Sequence, residues 1–213
     1  LARSLDGGET WKLEDPGVGD GDLVVPDNGS YHGLMRKDVK APEPIPAEQI
    51  DFTHPNLAFT VRMTDHHGGE SRIWYSYDRG KDWKGPFGLP NFGTPGIGAR
   101  TDYIIDGKKE CMLFLTAAKA NGKEGRVMCV KTIDGGKNWD FVAWIGPEPE
   151  GFSIMPASVR ISDNEILVTT RRREDSRRFI DAYLSQDNGA TWQPLPNPVE
   201  NCGQGNPPAM VKM

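Results

Sequence analysis

Among the stretches of this sequence that set an arginine three residues ahead of a carboxylate are Arg62 before Asp65, and Arg171 before Glu174. A third, Arg100-Thr101-Asp102, brings the two charges closer together. Guanidinium is a planar fork that suits carboxylates and other oxyanions, and a carboxyl group is a ready proton carrier. Such clusters therefore suit recognition of an acidic ligand combined with acid/base work. The same residues at strand ends also form solvated ion pairs of small energetic weight, or tie neighbouring elements together. In Arg171-Arg172-Arg173-Glu174-Asp175 the two readings coexist, because alternation along a strand sends adjacent arginines to opposite faces.

Other residues of chemical interest carry less. His66-His67 lies in a Gly-rich stretch without helical spacing or an evident third ligand, so no metal site is expected. Gly17-Val-Gly19-Asp-Gly21 follows no clear strand and opens no helix, which argues against a nucleotide loop. Cys111, Cys129 and Cys202 are too few and too scattered for a disulfide framework or a thiolate zinc site. Cys111 and Cys129 sit in apolar runs and read as small core residues. Asn28-Gly29-Ser30 is a glycosylation acceptor only in a secretory eukaryotic setting.

The elements that must position the charged clusters are announced by an internal repeat. Ser4-Leu-Asp6-Gly-Gly8-Glu-Thr10-Trp11, Ser76-Tyr-Asp78-Arg-Gly80-Lys-Asp82-Trp83, Thr132-Ile-Asp134-Gly-Gly136-Lys-Asn138-Trp139 and Ser185-Gln-Asp187-Asn-Gly189-Ala-Thr191-Trp192 share one pattern, Ser/Thr-x-Asp-x-Gly-x-polar-Trp. Each part fits a tight hairpin: Asp accepts backbone N–H bonds, Gly takes φ > 0, the hydroxyl bonds locally, and Trp covers the end of the sheet. The boxes recur about 53 to 72 residues apart, enough for four strands and their turns. Glycine contributes 25 residues and proline 17, and helix-period segments are scarce, so strands dominate.

This pattern is the Asp-box of the BNR repeat, and through it nearly the whole chain resembles the sialidase (neuraminidase) superfamily. The resemblance implies an all-β fold of four-stranded antiparallel blades forming part of a six-bladed β-propeller. It also puts each box between strands C and D, away from the substrate pocket. Asp6, Trp11, Asp78, Trp83, Asp134, Trp139, Asp187 and Trp192 are then architectural, and the motif lacks the ligand count of a calcium loop. Blade three is expected at Ala99–Asp106, Cys111–Ala118, Arg126–Ile133 and Trp139–Ile145. Blade four is expected at Ala157–Ser162, Ile166–Arg172, Phe179–Ser185 and Thr191–Leu195. Strands B and C of the blade before them are expected at Leu57–Thr64 and Arg72–Ser76, and residues 40–55 read as a surface insertion. Residues 1–213 thus hold three nearly complete blades and parts of two more, with Gly205 to Met213 opening the fifth. An open ring would leave unpaired sheet edges, so an interior segment of a longer protein is expected.

Within that frame the pocket face collects the ends of B strands and the beginnings of A strands. Arg62 stands as far before Asp78 as Arg171 does before Asp187, which makes the two equivalent, while Thr116 to Lys123 of blade three carries lysines instead. Sialidases hold the substrate carboxylate with an arginine triad. The resemblance therefore makes Arg62, Arg100, Arg171, Arg172 and Asn206 candidates for substrate binding, and Asp65, Asp102 and Glu174 candidates for acid/base or hydroxyl-binding work. The family's Arg-Ile-Pro motif is absent, and no tyrosine, including Tyr75, Tyr77, Tyr103 and Tyr183, matches its nucleophile.

The implied function is exo-hydrolysis of terminal sialic acid or a related acidic sugar from glycans, with no cofactor or metal. The alternative is a non-catalytic, carbohydrate-binding propeller. A formal charge of −5 with scattered basic residues argues against nucleic acid as partner, and no apolar stretch is long enough to cross a bilayer. The family's substrates point to an extracellular or periplasmic setting.

Overall fold

The computed structural model describes residues 2–13, 48–203 and 205–212, with the side chains of Arg100 and Glu124 outside that description. These residues form thirteen strands and no helix. The strands are β1 (Ala2–Arg3), β2 (Lys12–Leu13), β3 (Ala58–Met63), β4 (Ser71–Ser76), β5 (Lys84–Leu89), β6 (Ile97–Ile105), β7 (Cys111–Ala118), β8 (Glu124–Thr132), β9 (Asp140–Trp144), β10 (Phe152–Arg160), β11 (Ile166–Glu174), β12 (Arg177–Ser185) and β13 (Gln193–Val199). They make four antiparallel meanders in chain order: β1-β2, β3-β4-β5, β6-β7-β8-β9 and β10-β11-β12-β13. The predicted blades three and four are the last two sheets, with boundaries shifted by a few residues. Strand β10 begins earlier than expected because a bulge between Ile154 and Ala157 lets Phe152–Ile154 stay paired with β11.

Every Asp-box occupies the last hairpin of its sheet, between β1 and β2, β4 and β5, β8 and β9, or β12 and β13. The hydroxyls of Ser4, Ser76, Thr132 and Ser185 donate to the box carboxylates at 2.8, 2.6, 2.9 and 2.8 Å. The same hydroxyls accept from the amides of Gly8, Gly80, Gly136 and Gly189 at 2.7 to 3.0 Å. Each carboxylate also accepts the amide four residues on, as from Asn138 to Asp134 at 2.9 Å. These bonds hold the Asp6 and Asp78 carboxyls down at about 2, the main causes being the Thr10 and Ser76 hydroxyls.

Sheets stack through apolar faces. Val61, Ile73 and Tyr75 of the second sheet meet Leu113, Leu115, Met128 and Val130 of the third. Met112, Phe114, Val127, Cys129 and Ile145 of the third meet Ile166, Val168 and Tyr183 of the fourth. Strand β7 is covered on both sides, which is why Cys111 to Ala118 is buried throughout and reads as a continuous apolar run. Each large side chain buried this way contributes about 1.5–3 kcal/mol. Cys111 and Cys129 are free, buried thiols, and burial pushes both pKa values up, that of Cys129 to about 12.

Two expectations change. Residues 48–55 are not a surface insertion: Ile50 and Phe52 are fully buried, and their amides donate to Gly135 O (2.8 Å) and Lys108 O (2.9 Å). Phe52 meets Phe59 and Trp139 edge-on at 5.8 and 6.5 Å, closing the box end of the core between the second and third sheets. The rest of the predicted insertion, 40–47, lies outside the described residues. Residues 205–212 form no strand, and Pro207-Pro208 removes two successive ladder donors there.

Candidate functional site

The loops opposite the Asp-boxes are Thr64–Glu70, Lys119–Lys123 and the turn at Asp175, each leading into the last strand but one of its sheet, and the connections 90–96 and 146–151 between sheets. Asp102 sits mid-strand on β6, the other candidates lie toward this end, and the structure gives them different surroundings.

Strand β11 gathers three of them. Arg172 is buried, with Nη1 donating to Asp181 Oδ2 at 3.0 Å and Nη2 to Glu174 Oε1. Asp181 in turn accepts from the Tyr183 hydroxyl at 3.2 Å. Beside this network the Ser153 and Thr170 hydroxyls bond at 2.7 Å. Burial raises the Asp181 pKa although Arg172 pulls it the other way, and burial lifts Tyr183 to about 12. Ile166, Val168 and Tyr183 of this face pack on the third sheet, and the partners of Arg172 lie within its own sheet.

Arg171 points to the opposite face. Its guanidinium lies 5.7 Å from the Phe152 ring, and Nη1 is 3.6 Å from Met155 Sδ. Met155 adopts φ 54° within the β10 bulge, and its amide donates to Thr116 Oγ1 at 3.3 Å. Strand β6 carries a similar irregularity between Gly98 and Asp102, and Arg100 lies inside it. Bulges at the start of an inner strand re-aim side chains toward the end of the sheet.

The remaining candidates are dispersed. Asp102 Oδ2 accepts from both the amide (2.6 Å) and the hydroxyl (2.8 Å) of Ser158, tying β6 to β10. Asp65 is exposed, and the His67 amide at 2.8 Å holds its carboxyl below the ordinary range. Arg62 is half-buried on β3, and desolvation lowers its pKa. Asn206 is exposed at the rim of an apolar cavity of about 580 Å³ walled by Leu167, Ile180, Ala182 and Leu195. Among the described residues no three His, Cys, Asp or Glu side chains form a metal-binding group.

The equivalence of Arg62 and Arg171 does not survive the register. Arg62 pairs with Arg72, and Arg171 with Ile180, positions that differ by one residue relative to Asp78 and Asp187. Val61, beside Arg62, faces the third sheet, so Arg62 points back toward the preceding sheet, whereas Arg171 points forward.

Sequence reasoning missed Asp181 and Lys119. Asp181 interrupts the apolar run Phe179-Ile180-Asp181-Ala182-Tyr183, a charge in a buried strand that demands a partner. Lys119 is 6% exposed, and its Nζ donates to the carbonyls of Pro149, Glu150 and Gly151 at 3.0, 3.1 and 2.7 Å. It thereby fixes the connection that delivers Phe152 to Arg171. Gly151 has no room for a side chain, since a Cβ there would stand 1.9 Å from Arg173 O.

The chain matches the BNR/Asp-box repeat family over residues 183–194. No curated protein matches it. Among solved structures it is similar to a protein of unknown function from Dyadobacter fermentans, with 17% identity and a TM-score of 0.55, over 91% of this chain and 50% of that one. It is similar to the α-L-arabinofuranosidase Arb93A of Fusarium graminearum, with 15% identity and a TM-score of 0.56, over 98% of this chain and 60% of that one. The α-L-arabinanase of Penicillium chrysogenum gives 17% identity and a TM-score of 0.53, over 91% and 57%. The chain therefore spans 50 to 60% of the length of these structures. With the stacked four-stranded sheets, these likenesses make the fold a run of β-propeller blades.

Proposed function

We propose that these residues supply part of a six-bladed propeller glycosidase that removes terminal sialic acid or a related acidic sugar from glycans. The observation that supports the reading best is the end of β11. There Arg171 rests on Phe152 and Met155, beside a bulged inner strand, with Glu174 close by in sequence and held by Arg172. In this reading Arg171, with Arg100 of the third sheet and Arg62 of the second, holds the sugar carboxylate. Arg172 keeps Glu174 oriented, and Glu174, Asp65 or Asp102 serves the proton transfer. Glycoside hydrolysis of this kind needs two side chains flanking the bond and no organic cofactor or metal.

The test is to assay the natural protein that contains these residues on terminal α-sialosides and on arabinose-containing oligosaccharides. Release of sialic acid, lost in Arg171→Ala, supports the proposal. Release of arabinose alone keeps the glycosidase and overturns the sugar.

A second reading, a carbohydrate-binding propeller without turnover, is favoured by one fact. All three candidate carboxylates already serve the protein: Asp102 holds Ser158, Glu174 holds Arg172, and Asp65 holds the His67 amide. Saturable glycan binding without product release would select it.

A further inference from the structure

The four Asp-boxes are close copies, so a departure from their shared backbone chemistry is informative. The residue after the box Asp takes a left-handed backbone in all four: Gly7 at φ 73°, Arg79 at 65°, Gly135 at 72° and Asn188 at 57°. Glycine and asparagine are the residues that accept this conformation readily, whereas a long side chain is strained there. A strained residue persists where the surroundings hold it or where its side chain has a use, and inference runs from the outlier to the use.

The surroundings of Arg79 look prepared. Its Nε donates to Asn56 Oδ1 at 2.9 Å and its amide to Asn56 O at 3.0 Å, so Asn56 fixes both ends of the residue. Arg3 Nη2 donates to Arg79 O at 2.7 Å and brings a second guanidinium alongside. Arg3, Arg79 and Lys81, with Leu5, Asn56 and Asp78, line a cavity of about 350 Å³ between the first and second boxes. The one carboxylate in the lining, Asp78, is occupied by the Ser76 hydroxyl and by the amides of Lys81 and Asp82. Among the described residues neither Arg79 nor Lys81 forms an ion pair, whereas Arg72, Arg126, Arg160, Arg172 and Arg177 do.

We propose that this cavity is an oxyanion-binding site, built to take a sulfate or carboxylate group through Arg79 and Lys81. With Nε committed to Asn56, the two Nη groups of Arg79 present the edge that binds two oxygens at once, and Lys81 adds a point charge. The site lies at the Asp-box end of the blades, opposite Arg171 and Glu174, and does not depend on the proposed hydrolysis.

The experiment is a titration of the chain with sodium sulfate at ionic strength held constant by sodium chloride, following the backbone amides of residues 79–82 by NMR. A sulfated disaccharide is titrated in parallel. Saturable shifts with a millimolar constant are expected, and tighter binding of the disaccharide would identify a glycan rather than a free ion as the natural source. Arg79→Gly should weaken binding at least about tenfold while leaving the melting temperature unchanged or raised, because glycine relieves the left-handed backbone. Lys81→Met, which leaves the turn intact, should weaken binding several-fold. Absence of saturation at about 50 mM sulfate overturns the proposal. So does wild-type affinity in both variants, or a lowered melting temperature in Arg79→Gly, which would make Arg79 a residue of the fold.

Discussion

Replacing Asp181 by Leu removes the carboxylate that faces Arg172 at 3.0 Å and accepts the Tyr183 hydroxyl at 3.2 Å. Arg172 is 9% exposed, so its guanidinium cannot turn to water, and Glu174 remains as its single charged partner at a more exposed position. Leaving one member of a buried pair behind is worth about 3–5 kcal/mol. With Glu174 retaining part of the compensation, the lower end, about 3 kcal/mol, is expected. For a chain of 213 residues that is a fall in melting temperature of roughly 6–12 °C. The double variant Arg172→Met with Asp181→Leu behaves differently. The direction of the Asp181 pKa, raised by burial against the pull of Arg172, says that desolvation outweighs attraction in this pair. The double variant should therefore recover wild-type stability or exceed it by about 1–4 kcal/mol. Urea unfolding of the wild type, the two single variants and the double variant closes the cycle. If the two single losses simply add in the double variant, to within about 0.5 kcal/mol, the pair is not coupled and the reasoning fails.

Two further predictions concern pH and a loop. The box carboxylates are held below the unfolded value of 3.8, Asp6 and Asp78 at about 2, so their contribution is present above that value and is lost as pH falls from about 4 toward 2. Asp181 has the opposite sign: its raised pKa favours the folded state below 3.8 and that advantage disappears as pH rises through the folded value. Unfolding free energy against pH should accordingly fall on the acid side in the wild type, less steeply in Asp78→Asn, and the wild type should gain on Asp181→Asn as the medium is acidified. Lys119→Met strips a charged donor from three carbonyls in the 146–151 connection and should destabilise by about 2–3 kcal/mol in urea unfolding. Amide hydrogen exchange should rise first at Phe152 and Ser153; unchanged exchange there would show that Lys119 does not hold the connection.

What the sequence made legible follows from the range of the forces involved. An Asp-box is bonded within its own eight residues, the hydroxyl, carboxylate and glycine amide in all four and the indole of Trp11, Trp83 and Trp192 as well, so its chemistry is written in one stretch and the hairpin position follows. The sheets follow from the boxes, because a meander needs only neighbouring strands. The direction of Arg62 and Arg171 is different in kind. It depends on pairing across the sheet, and one residue more or less between a strand and its box leaves the local pattern untouched while it moves the side chain to the other face. Counting back from the box Asp assumed equal hairpins. Arg72 and Ile180, the actual partners, show that they are unequal. The same limit hid the partners of Arg172: Asp181 lies on the next strand, and only the register brings it opposite Thr170 and within reach. Charge in a buried run was the legible trace of that contact, since a carboxylate between Ile180 and Ala182 has no water to face and must find a cation. For repeat blades, then, box motifs assign strands, whereas residues of the pocket end are assigned by asking which buried charge each arginine must answer.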